Sequence, residues 1–453
     1  MVDLEWKSKM LNSNISPKSP KLSLPLPTFH LPLPLTPNDI TTASSTLCTT
    51  YENYLHLPHL QTFWYSSTFP NWANEPIIKP ALTALEITFR LITTVLSDPR
   101  SYINKREWTR RIESIAKSQI HVIALLCDDE EQNTDTCGKA PINELNKIYQ
   151  DQFRSYSEQS LLPKLATWQK SKQIAQRLFS TVESEMMTCS YTLGLGEQNF
   201  NGKPILRYDD VCKPNFIHSL ETTPFDHIGN HENRILHATH QIFESWTRAA
   251  RVLLDRVNDS IDNKTFEKAA SEIYAVERIW KILTEIEDLH MMMDPEDFLK
   301  LKKQLRIGTR TMNEVNEMNE NHETVPFCFR SKEFVTITKM CRDLKQKVPE
   351  ILEVEVDPTG GPGVMEEAMK VYSERKEFEK VHLLQGLQGI EIEMKRFFYG
   401  YKQVLVVMMG SSEMNLECLS RIFLEPTWFP SLDAAKTFLG YYWENSENGR
   451  NTW

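Results

Sequence analysis

The chain has 453 residues, 40% hydrophobic and 25% charged, a globular balance that excludes wholesale disorder and leaves room for two or three domains. With 51 basic residues against 61 acidic ones the net charge is −10, so the electrostatic footprint of a nucleic-acid binder is missing. Only 15 glycines, with no fixed repeat, argue against collagen-like and solenoid architectures.

The opening Met1-Val-Asp-Leu-Glu-Trp-Lys7 has no basic stretch followed by an apolar one, so no secretory signal is expected. The longest uniformly apolar runs, such as Val404–Met409, fall far short of the ~20 residues that span a bilayer. Eight cysteines without a CxxC pair read as reduced, packed thiols rather than a zinc framework. A cytosolic protein is expected, with the nucleus also open, and no membrane partner.

Residues 1–45 hold seven of the 24 prolines, and Pro25, Pro27, Pro32, Pro34 and Pro37 are interleaved with leucines, which predicts a disordered Pro-rich arm. An N-terminal helical domain is expected over 46–190. Within it Leu82, Leu85, Phe89, Ile92 and Leu96 recur at the helix period, with Pro80 placed in the first turn and Asp98-Pro99 as the stop. Arg106–Leu126 and Gln159–Cys189 read as further amphipathic helices around an acidic loop, Cys127–Pro141. Leu193–Gly229 breaks the periodicity and reads as an irregular connector.

A second helical domain is expected over 191–443, with helices at 230–258, 263–292, 295–307, 331–353, 364–373 and 378–410. A polar loop at 310–324 and a Gly/Pro turn, Asp357–Gly363, separate some of them, and 444–453 reads as a frayed tail. No period-2 run is long enough for a strand. The predicted fold is an all-α helical bundle.

Three segments carry chemistry. In His231–Trp246 a helix places Leu236, His240 and Phe243 on one face, so His240 points among apolar side chains. His237 and His240 with Glu244 have sharing distance for a metal but lack further ligands at sensible spacing, so no metal is expected. In Met291–Leu305, Asp294 is a helix N-cap before Pro295, Phe298 faces inward, and Lys302 sits one turn on at the edge of that face. In Asp357–Gly363, three glycines and two prolines demand special backbone angles and leave amides free to meet a ligand.

In order and spacing, His231-Glu232, His240-Gln241 and Glu244-Ser245-Trp246, then Met293–Lys302 and Pro358-Thr359-Gly360-Gly361, resemble the tryptophan 2,3-dioxygenase and indoleamine dioxygenase superfamily over roughly 190–400. The resemblance implies a dioxygenase-like helical fold and a pocket. His240 would be the distal histidine, Leu236 and Phe298 the ring-packing positions, and Lys302 the carboxylate clamp. Thr359, with Gly360 and Gly361, would be the loop near the substrate ammonium. Leu236 replaces an aromatic, and Lys302 cannot form the bidentate fork of an arginine. The proximal haem histidine has no counterpart in Ser331–Pro358, so no cofactor is expected. Haem-dependent indole oxidation stands as the alternative, with Cys341 or His382 as an atypical axial ligand.

Nearly the full length is similar to the plant nematode-resistance HSPRO-like family. The resemblance rests on Met1–Lys7, Phe69-Pro-Asn-Trp72, Glu75-Pro76, Lys79–Leu82, Ala84–Arg90 and Leu96–Arg100. Further support comes from Arg106-Glu-Trp108, Cys127–Glu131, Phe378–Gln385 and Lys395–Tyr399. It implies plant defence and stress signalling, and association with a regulatory subunit of the energy-sensing kinase complex of the sucrose-non-fermenting type. The expected function is a non-catalytic regulator that binds partner proteins, with a small-ligand pocket suited to an indole-like or carboxylate metabolite.

Overall fold

A computed structural model describes residues 45–69, 72–128, 157–197, 203, 205–307, 326–355, 363–410 and 417–450. The Pro-rich arm as far as residue 44, most of the acidic loop, the polar loop 310–324 and the turn carrying Thr359, Gly360 and Gly361 lie outside the described residues. Among the described residues there is no strand, only an isolated parallel bridge between Thr192 and Ile205.

Two short helices, α1 (Ser45–Tyr54) and α2 (Leu57–Tyr65), lead into α3 (Glu75–Ser97). Helix α3 starts a turn earlier than the position of Pro80 predicts: Pro76 takes the first turn and Pro80 sits inside the helix. The early turn is held by a buried ion pair, Lys79 Nζ to Glu75 Oε1 at 2.6 Å. Glu75 also accepts from the Thr68 and Phe69 amides at 2.9 Å each, and Lys79 donates to Ser66 O. These bonds offset the hydrogen bond that Pro80, lacking an N–H, cannot make. By length and composition α3 could cross a membrane; in the fold it is buried on every side, as a core helix hydrophobic all round must be.

Helix α4 (Lys105–Asp128) packs on α3, and where one helix over 159–189 was expected the chain breaks. A single helical piece, Leu161–Leu165, ends where Ser171 Oγ caps Leu165 O at 2.7 Å, and α5 (Lys172–Met186) begins anew against α4. The connector predicted as irregular holds two short helices, Tyr208–Cys212 and Pro214–Ser219. Next come α6 (Asn233–Asp262) and α7 (Phe266–Asp288), followed by a 3₁₀ turn Leu289–Met292 and α8 (Pro295–Ile307). The segment 331–353 divides into α9 (Lys332–Asp343), a 3₁₀ turn and Val348–Ile351, because Pro349 has no amide to continue the ladder. Helices α10 (Gly363–Glu374), α11 (Phe378–Met409), α12 (Glu417–Leu424) and α13 (Pro430–Arg450) complete the chain, α13 running past the expected start of the tail at 444.

Helices α3, α4, α7 and α6 touch in a closed ring, a four-helix arrangement with α11 laid along the outer side of α7 and α9 against α6. Inside the ring Trp246 Nε1 donates to Gln119 Oε1 at 3.1 Å, and Gln119 Nε2 donates to Thr88 Oγ1 at 2.8 Å, a satisfied polar tie across three helices. One hydrophobic core takes residues from both sides of position 190, from Tyr51 to Ala435. Cys48, Cys127, Cys189, Cys212, Cys328 and Cys341 are buried and in no disulfide.

The α7–α11 contact is close enough to test with two glycines. A Cβ at Gly386 would strike Ile273 Cγ2, on a β-branched side chain that a helix holds stiffly. At Gly389 it would meet only the carboxylate end of Glu277, at 2.8 Å, which can swing aside. Gly386→Ala is expected to destabilise by about 1–3 kcal/mol. Gly389→Ala should be neutral or gain up to about 1 kcal/mol of helix propensity. Thermal unfolding that moved both variants equally would contradict this packing.

Candidate functional site

The N-terminus of α6 is anchored by charge. Glu232 Oε1 accepts from Arg100 Nη1 at 2.7 Å and from the Asp294 amide at 3.0 Å, which ties the corner after α3 to the start of α8. Asp98 holds the other side of the Arg100 guanidinium at 2.7 Å. Burial pushes the Glu232 carboxyl up, against the hydrogen bonds from Asp294 and Arg100. Two turns into the helix, Gln241 Oε1 accepts from Arg90 Nη2 at 2.5 Å and its amide donates to Leu55 O at 2.9 Å, fixing α6 on α3 and on the residue that follows α1.

With that register set, α6 delivers His237, His240 and Glu244 into the interior, all buried. Tyr51 Oη of α1 lies 3.0 Å from His240 Nδ1 and donates to Glu244 Oε1 at 3.0 Å. The second Glu244 oxygen accepts from Ser331 Oγ, also at 3.0 Å, and Ser331 in turn caps α9 through the Phe334 amide. Burial pushes the Glu244 carboxyl up to about 8, opposed by those two hydroxyls. Burial likewise holds His240 and His237 well below the usual imidazole range, so both are neutral.

His240 is enclosed by rings. His290 stacks on it with centroids 5.2 Å apart, and Phe327 meets it edge-on at 5.3 Å. Tyr51 and Phe243 flank it at 5.6 and 6.4 Å. His290 Nε2 lies 2.9 Å from Thr239 Oγ1, and its Nδ1 lies 3.0 Å from Glu287 Oε2.

The residues singled out in the sequence separate on this map. Leu236 is buried one turn before His240, and Phe298 joins the ring cluster through His290 at 6.2 Å and Phe327 at 6.3 Å. Lys302 is buried too, but its ammonium reaches Met409 Sδ at the end of α11, at 3.0 Å. Thr359, Gly360 and Gly361 lie outside the described residues. His237 does not join His240 and Glu244: it packs edge-on against Tyr54 at 5.4 Å and beside His56 at 5.9 Å.

The donors do not fit a haem. Burial drives the Cys341 thiol up to about 12, away from the thiolate that iron needs. His382 is exposed on α11, beside Phe378. The faces of His240 are already covered by protein rings.

Sequence reasoning passed over Tyr51, Glu287, His290 and Ser331. The Glu287–His290 spacing puts both side chains on one face of a helical turn, a signal that was present; what was missing is that His240, on another helix, faces them.

Comparison with known proteins adds the following. The family described as Hs1pro-1 N-terminus matches residues 1–183, and the one described as Hs1pro-1 protein C-terminus matches residues 186–445. The chain is 50% identical to "Nematode resistance protein-like HSPRO2" of Arabidopsis thaliana, over 98% of this chain and 100% of that protein. It is 48% identical to "Nematode resistance protein-like HSPRO1" of the same plant, over 98% of this chain and 99% of that one. No solved structure matches it.

Proposed function

This chain belongs to the Hs1pro-1 family, and from that premise we propose that it serves plant defence of the nematode-resistance kind as a non-catalytic regulator that binds partner proteins. The observation that carries the non-catalytic part is the enclosure of His240: His290 and Phe327 press on the ring where a substrate would have to lie. In this reading the region is a dioxygenase-type helical site packed shut by the chain's own side chains. The alternative, haem-dependent oxidation of an indole, finds no support in Cys341 or His382.

A regulator needs a surface. On α11 Ile392, Tyr399 and Val407 fall within about 80° of one another around the helix, and they are exposed by 50%, 55% and 65%. Tyr399 packs edge-on against Phe423 of α12 at 5.4 Å, and the neighbouring Leu424 is 73% exposed. Contiguous exposed apolar side chains of this kind mark protein-contact surfaces. The partner we assign to it is a regulatory subunit of the energy-sensing kinase complex of the sucrose-non-fermenting type, met in the cytosol or nucleus.

The test is binding of purified subunit to the full chain by interferometry. Ile392→Asp combined with Val407→Asp should weaken binding at least tenfold and leave the melting temperature within about 2 °C, since both side chains are exposed. Undiminished binding would remove this surface, and no binding by the unmodified chain would remove the partner.

A further inference from the structure

The network around His240 leaves three groups facing one another without a proton donor among them. His240, Glu287 and His290 each offer a ligand atom within 4.8 Å of the other two, and each residue is at most 2% exposed. His240 Nε2 has no hydrogen-bond partner, and neither oxygen of Glu287 receives a hydrogen bond; the 3.0 Å approach of His290 Nδ1 to Oε2 is too poorly aligned to be one. Orphaned polar atoms this deep in a protein are rare and need an explanation.

The outer partners explain them. Tyr51 gives its proton to Glu244 Oε1, so against His240 it can only accept, which places the imidazole proton on Nδ1 and a bare lone pair on Nε2. Thr239 Oγ1 gives its proton to Leu236 O at 3.0 Å, so it accepts from His290 Nε2–H and leaves the Nδ1 lone pair toward Glu287. Histidines whose far nitrogen donates to a fixed oxygen while the near one stays bare are arranged as metal ligands are.

We propose that His240 Nε2, His290 Nδ1 and the Glu287 carboxylate form a buried site for a single divalent first-row transition ion, zinc above all. Two imidazoles and a carboxylate that can bind through both oxygens supply four donor atoms, the number a closed zinc site uses. An all-oxygen shell, as calcium or magnesium would want, is not on offer. The walls are Phe243, Phe298 and Phe327, so the site is dry. The ion would pin the first turns of α6 to the end of α7, a structural role that is independent of the partner surface on α11.

The experiment uses the full chain expressed with added zinc and washed with a chelator on a sizing column. Elemental analysis should find one zinc per chain, and cobalt substitution should give the visible ligand-field bands of a low-coordinate site. Glu287→Gln should abolish both. Tyr51→Phe keeps all three ligands and removes only the outer hydroxyl, so it should retain the ion with about 10–100-fold weaker affinity. His59→Ala, on the exposed surface, should change neither reading. A metal-free wild-type chain that also gives no cobalt bands overturns the proposal, as does a Glu287→Gln variant that holds zinc normally. Should Glu287→Gln fail to fold, the wild-type zinc content and cobalt spectrum decide alone.

Discussion

Replacing Glu86 with alanine is expected to destabilise the fold by about 3–5 kcal/mol, the scale for stranding the partners of a buried charge. Glu86 is fully buried in the middle of α3 and gathers four partners from elsewhere in the chain. Ser160 Oγ reaches Oε2 at 2.8 Å and Tyr208 Oη reaches it at 2.9 Å; the Leu161 amide reaches Oε1 at 2.7 Å and His218 Nε2 reaches it at 2.8 Å. Those donors sit on three separate short pieces, Leu161–Leu165 with its cap, Tyr208–Cys212 and Pro214–Ser219. None of them is long enough to be stable alone, since helices this short do not persist in water. The carboxylate is therefore the common acceptor that seats them on α3. Without it each buried donor loses its partner and keeps its desolvation cost. Urea unfolding should register the loss, and amide exchange should accelerate first over 157–219. A loss below about 1 kcal/mol would mean that apolar packing alone seats these pieces.

The same residue marks where the sequence stops being legible. Period and capping carried the long elements. Helix α8 begins where Asp294 was read as an N-cap, and Asp294 Oδ1 does accept from the Asp297 amide at 3.0 Å. The inward faces of His240, Leu236 and Phe298 followed from the helical repeat in the same way. The repeat fails where a tertiary contact outbids a local rule, as when the Glu75–Lys79 pair carries α3 through Pro80. It is also silent about what a buried polar group faces. Glu86 and Arg90 were visible as charges inside an apolar run, yet nothing in the spacing says that one collects four donors and the other holds Gln241. Lys302 illustrates the converse. Its helix position was read correctly, but the direction of its ammonium, toward Met409, depends on where the far end of α11 arrives. Spacing on one helix grouped His237, His240 and Glu244, while in the structure His240 and Glu244 share Tyr51 and His237 turns to Tyr54, because both tyrosines come from another element.

Glu244 makes the second large prediction: stability should fall as the pH rises above about 6.5, and Glu244→Gln should abolish most of that fall. Burial lifts its carboxyl to about 8, Ser331 and Tyr51 oppose the shift, and Glu333 and Glu52 add to it from the neighbouring surface. In the unfolded chain the group titrates near 4.5. Between those values the folded state holds a proton that the unfolded state has released, so stability drops by about 1.4 kcal/mol per pH unit. His237 and His240 work in the opposite sense. Folded, they stay neutral well below 6.5, so the unfolded chain binds the extra protons and stability is lost as the pH falls below that value. The two effects together place a stability maximum near pH 6.5. On its alkaline side only Glu244 among these three groups still titrates, which contributes a decline of about 2 kcal/mol between pH 6.5 and 8. Glutamine offers one acceptor and one donor in nearly the same shape as the protonated acid, so it keeps the contacts to Tyr51 and Ser331 and has no charge to expose. Urea unfolding of both proteins at pH 6.5 and 8.5 compares them directly. The difference between the curves belongs to Glu244 whatever other groups titrate, and parallel curves would mean that this carboxyl is already ionised in the folded protein near neutral pH.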